Sequence, residues 1–215
     1  MKRLARPDGG PLPLRVTGHR MKRAPLSGAR ISAAGAVWVA AALCAVAVSV
    51  LVAPGWRGVL GAGLAVDMAA IAAIDSRSFV IPDKLVLAGL ALGLVNAAIA
   101  DPLQIAAGLL SAGLRALVLA LLFLLFRTAY RLIRRREGLG LGDVKLAAVA
   151  GVWLGWTAAG LAVDIGALSA LAAALIAALR GRGISGTTRI PFGLFFAPAI
   201  WLAWLLSAII LPGGF

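Results

Sequence analysis

The chain has 215 residues, 62% of them hydrophobic, with a mean hydropathy of +1.00. Soluble domains carry far less apolar sequence, so a water-surrounded fold is excluded. The net charge of +13 does not signal nucleic acid, because the 21 Lys and Arg sit in short segments between long apolar runs, where they act as membrane orientation signals.

Residues 1–30 hold eight of those basic residues among Pro and Gly, with no helical period. They are expected to form a basic, disordered cytoplasmic tail, followed by a membrane-embedded domain over 31–215. His19 reads as a solvated tail residue, and Met21 opens a second basic stretch that would serve as an alternative start. A basic stretch before an apolar run is also the pattern of a secretory signal. The run 31–53 is long enough to span, however, and more spans follow, which favours a retained anchor.

The apolar runs predict an all-α, polytopic transmembrane bundle of about seven spans: 31–53, 58–74, 85–100, 104–126, 142–157, 160–179 and 190–211. With the N-terminus inside, the inner loops are 75–84, 127–141 and 180–189. All basic residues except Arg57 and Arg115 then lie in or beside inner segments, so a cytoplasmic N-terminus is expected. Such loops also suit contact with anionic lipid, making membrane lipids expected partners. The single Cys44 excludes an intrachain disulfide and any CxxC metal site. Serines within the spans, Ser49, Ser111, Ser169 and Ser207, are expected to bond to backbone carbonyls one turn back.

The eight acidic residues are Asp8, Asp67, Asp75, Asp83, Asp101, Glu137, Asp143 and Asp164. Charge inside a membrane is expensive, so a functional role is the first expectation for those near spans. Asp75 ends the second span, in IDSRSFVIPDKL, and Asp143 opens the fifth, in EGLGLGDVKL. Both fall at the inner membrane edge on different helices. Two carboxyls brought together share one proton: the ionised one takes a proton from water and the protonated one donates to a carbonyl oxygen. Such a pair can hydrolyse a peptide bond without metal or covalent intermediate. The other routes lack their parts, since there is no HExxH motif and no His in any span.

Plainer roles stay open beside this one. Asp143 suits a helix N-cap, Asp75 an interfacial stop, and Asp83 after Pro82 turn or cap chemistry. Either Asp67 or Asp164 could pair with Arg115, which would reduce the cost of both charges. Gly138, Gly140 and Gly142 permit unusual backbone angles and close approach of a second backbone near Asp143. Lys145 reads as a snorkelling anchor or a source of positive potential.

Three blocks in order, IDSRSFVIPDKL, EGLGLGDVKL and IPFGLFF, resemble the type IV prepilin peptidases, a branch of the GxGD aspartyl membrane proteases. The resemblance covers about 71–200. It implies catalytic roles for Asp75 and Asp143, and motif roles for Gly140, Gly142, Lys145, Pro82, Asp83, Pro191 and Gly193. It implies no metal and no cofactor. Its substrates would be prepilins or pseudopilins of type II secretion, cut after a basic leader at the cytoplasmic face of a bacterial inner membrane. Leu194 stands where the family usually has Pro. Many members add a domain with paired CxxC motifs linked to N-methylation. No such cysteines occur in this chain, so cleavage without a recognisable methylation site is expected. Two rival readings are a proton-coupled transporter or scaffold built on Asp67, Arg115 and Asp164, and a basic protein that recruits partners to anionic lipid.

Overall fold

The computed structural model describes residues 33–136, 138–181 and 191–210. The readings placed on the basic tail with His19 and Met21, on Glu137, on 182–190 and on 211–215 lie outside the described residues. A helix stands in each of the seven expected spans: α1 (Ala33–Val52), α2 (Trp56–Ser78), α3 (Asp83–Ala100), α4 (Ile105–Arg134), α5 (Leu141–Trp153), α6 (Trp156–Leu179) and α7 (Phe192–Ile210). Helices satisfy their own backbone groups, which is what an apolar chain in lipid requires. Six of the seven are long and apolar enough to cross a bilayer.

The exception is α5, with 13 residues. That is roughly 20 Å of helix against a hydrocarbon core of about 30 Å. The apolar run read as 142–157 breaks at Leu154, whose backbone is extended, and Gly155 then caps α6. α5 lies at the centre, burying Leu146, Ala147, Val149, Ala150 and Trp153 among α3, α4 and α7. The indole N–H of Trp153 donates to the Gly89 carbonyl at 2.8 Å, fastening α5 to α3.

Two boundaries differ from the hydropathy reading. α2 continues through Asp75 to Ser78, where Phe79 closes it in the left-handed region at φ 55° and donates its N–H to the Asp75 carbonyl at 3.0 Å. α4 runs on past residue 126 to Arg134, because Arg is a good helix former and its charged head reaches outward while the backbone stays helical. The loop expected over 127–141 is therefore mostly helix.

The main core joins α2, α5 and α7 through Leu64, Met68, Ile71, Leu146, Val149, Phe196 and Ile200. Lipid tails are as apolar as these side chains, so close packing does the work of association. Small residues set the spacing: a methyl group at Gly151 would fall 2.5 Å from the Ala116 Cα, and one at Gly61 would enter the Trp204 ring. The serines behave as expected, with Ser49, Ser111, Ser169 and Ser207 each donating to a carbonyl three or four residues back.

Candidate active site

The site begins with helix ends. Asp75 sits in the last turn of α2, and Asp143 is the third residue of α5. Both side chains are buried. The N-cap of α5 is Gly140 and not Asp143, which stands at the third helical position; from there its Oδ2 reaches back to accept the Gly140 N–H at 3.0 Å, as in half of a capping box. Oδ2 of Asp75 accepts the N–H of Leu194 at 2.9 Å, from the first turn of α7. These bonds fix both carboxyls against backbone without removing them from the space between the helices. Asp75 and Asp143 line one cleft of about 430 Å³. Bonding the N-cap backbone and facing the cleft are thus compatible for Asp143.

The rest of the cleft wall comes from Phe79–Asp83, Gly140–Gly142 and Lys145. Pro82 precedes α3 and its carbonyl accepts from Leu85 and Val86, while Asp83 opens the helix, where the dipole favours an acid. Asp83 forms an ion pair with Lys145, and both are exposed at the rim. Lys145 is therefore tied across the cleft mouth to α3, which gives it a partner the sequence did not reveal.

The glycines serve space rather than unusual angles. Gly140 has ordinary extended geometry, at φ −74° and ψ 156°. A methyl group at Gly142 would lie 3.0 Å from Ile81 Cβ, so the GxGD turn presses directly on the loop that follows α2. Pro191 immediately precedes α7. At Gly193 a methyl group would fall 2.8 Å from Asp75 Oδ2 and 2.9 Å from Ile81 Cδ1. Three segments far apart in sequence thus converge at one place.

Neither intramembrane ion pair open to Arg115 forms among the described residues. Arg115 donates through Nε to the Gly151 carbonyl at 3.2 Å, satisfying a backbone group of α5 instead. Asp164 is exposed on α6. Asp67 is buried with neither carboxylate oxygen hydrogen-bonded, its Oδ2 facing Gly89 of α3. The residue that sequence reasoning missed is Leu194, whose part is played by its backbone N–H. The only signal for it was the departure from the usual proline, since proline has no N–H to give.

A helical membrane protein with two buried carboxyls meeting in a cleft at helix ends has the parts for general acid–base hydrolysis. Comparison with known proteins gives the family. A model of the type IV leader peptidase family matches residues 62–181, a stretch that holds Asp75, Asp83, Gly140, Gly142, Asp143 and Lys145. The chain is 32% identical over 170 residues to a prepilin leader peptidase/N-methyltransferase of Aeromonas hydrophila, covering 76% of this chain and 55% of that protein. It is 36% identical over 135 residues to the protein of that name from Burkholderia pseudomallei, covering 63% and 42%. The counterpart in Pseudomonas aeruginosa is 36% identical over 138 residues, covering 63% and 45%. The chain thus spans about half the length of these relatives. No solved structure matches it significantly. The chain belongs to the type IV leader peptidase family.

Proposed function

We propose that the protein is a membrane aspartyl endopeptidase that removes the basic leader from type IV prepilins or type II secretion pseudopilins. The observation that carries this reading is the meeting of Asp75 and Asp143, from α2 and α5, in one cleft. Its cleavage would take place at the cytoplasmic face of a bacterial inner membrane. Asp75 follows two candidate crossings and Asp143 follows four, so an even count leaves both on the side of the N-terminus. The basic tail and loops favour the cytoplasm for that side.

In the mechanism, the two carboxyls hold one proton between them and titrate as a unit. The ionised member draws a proton from a water in the cleft as that water attacks the scissile carbonyl. The protonated member donates to the carbonyl oxygen, forming a tetrahedral intermediate. Return of a proton to the amide nitrogen lets the C–N bond break, releasing the leader carboxylate and the new pilin N-terminus. The substrate helix packs against the spans, which holds the extended cleavage segment beside the dyad and lowers the entropic cost of attack. The transporter reading loses its charged pathway, because Arg115 binds backbone and Asp67 stands alone.

The test is coexpression with a tagged prepilin. Asp75→Asn and Asp143→Asn each abolish leader removal, while Asp83→Asn, at the exposed rim, mostly spares it. Full processing by either of the first two variants would sink the assignment.

A further inference from the structure

The residues Phe79–Pro82 join α2 to α3, and all of them line the cleft beside Asp75. Phe79 turns the chain out of α2 with its left-handed φ of 55°, and Pro82 is extended, at φ −68° and ψ 130°. Between them, Val80 and Ile81 belong to no helix or turn. Among the described residues, no hydrogen bond engages the N–H or the carbonyl of either. We infer that Val80–Ile81 is a short strand-like edge that pairs with the backbone of an extended peptide in the cleft. This rests on the proposed peptidase reading and assigns the substrate segment around the cut to that edge.

A backbone group in a folded chain is paired or left to water, and an open run on a cleft wall is what strand addition uses. The edge is held firmly. Ile81 is buried, and its side chain is seated against two glycines. A methyl group at Gly142 would come 3.0 Å from Ile81 Cβ, and one at Gly193 would come 2.9 Å from Ile81 Cδ1. Val80, next to it, is exposed. One side chain in and the next out is the alternation of a strand, and both residues are β-branched, the type that strands favour. Pro82 has no N–H and closes the edge after Ile81, so the template is short and does not invite pairing along a longer run.

The substrate needs such a partner. A helix ties its carbonyls into ladder bonds, so the segment at the cut must be extended when the dyad acts. Extension leaves N–H and carbonyl groups without partners at the membrane edge, where leaving them unpaired is costly. The edge replaces some of those bonds within a few residues of Asp75 and sets the register of the segment beside the dyad. Val80 and Ile81 touch substrate through backbone only and are binding residues, not catalytic ones.

The test reads the spacing of contacts. In a Cys44→Ala, Asp143→Asn background, which holds substrate uncut, Val80→Cys is purified in detergent. It is mixed with prepilins carrying single cysteines at successive positions across the cleavage point, and disulfide yield under mild oxidation is read on gels. A paired strand gives one maximum and a second two residues away, with a yield about threefold or more lower at the residue between. Maxima three or four residues apart, or no cross-link at all, overturn the inference. Val80 is exposed, so the cysteine variant does not disturb the core.

A second arm uses the active protein and a synthetic prepilin segment N-methylated at one residue at a time, the scissile amide excepted. Loss of the N–H that meets the edge raises KM about fivefold or more, while the residues on either side of it change KM by less than about twofold. A KM that ignores N-methylation at every position also overturns the inference. A wild-type protein that removes no leader overturns the proposed function. The cross-links are read on an inactive variant, so they decide the edge separately.

Discussion

Asp67 and Asp75 lie eight residues apart on α2, both are buried, and they fare differently. Asp75 has the Leu194 N–H and lines the cleft, whereas Asp67 has no hydrogen-bond partner among the described residues and does not line that cleft. A buried polar group without a hydrogen bond costs about 1–3 kcal/mol. Asp67→Val, which removes both polar oxygens without lengthening the side chain, is therefore expected to raise the Tm in detergent by several degrees, at about 2–4 °C per kcal/mol. Leader removal should persist in this variant, and a fall in Tm would show that Asp67 has a partner in the working protein. The sequence pointed to Asp75 and Asp143 through their placement at span ends. It misdirected Asp67, because eight residues of spacing say nothing about what a neighbouring helix offers. Leu194 was illegible as a donor, since a backbone N–H belongs to nearly every residue and only tertiary packing decides what it meets.

α5 shows how far hydropathy reaches at the level of elements. Its existence and its first residues were legible, because Gly142 and Asp143 mark a helix start after a glycine-rich turn. Its length was not, because Leu154 and Gly155 are as compatible with an apolar run as the residues on either side. The same limit hid the last two turns of α4, where arginines that look like a loop by hydropathy are good helix formers by propensity. α5 is held by contact with the α4 backbone at Ala116, by Arg115 on the Gly151 carbonyl and by Trp153 on Gly89. Gly151→Leu would drive a side chain into that backbone, an overpacking that costs about 1–3 kcal/mol or more. Thermal unfolding should report a Tm several degrees lower. Leader removal should fall with it, because Asp143 rides on α5. A Gly151→Leu variant as stable and active as wild type would mean that the α4–α5 seam is looser than described.

At the scale of the whole molecule, the bundle brings the end of α2, the start of α5 and the start of α7 to one point. Along the sequence Asp143 lies 68 residues after Asp75, and Leu194 lies 119 after it. The motif blocks announced that they belong together, and the packing of α2 on α7 and α5 on α3 shows how they meet. The cytoplasmic side proposed for that point rests on charge placement and is open to direct test. In a Cys44→Ala background, a cysteine replacing Ser78 should react with a membrane-impermeant maleimide in inverted vesicles and not in right-side-out ones. One replacing Leu103, between α3 and α4, should show the reverse; the opposite pattern would place the cleft on the outer face. The central claim is that Asp75 and Asp143 jointly cut a peptide bond. It is tested most directly by incubating the purified protein with a purified prepilin and measuring the pilin N-terminus by mass spectrometry. Loss of the basic leader with wild type, and an intact leader with Asp75→Asn or Asp143→Asn, is the predicted result. A shortened pilin produced at the wild-type rate by either variant would contradict it.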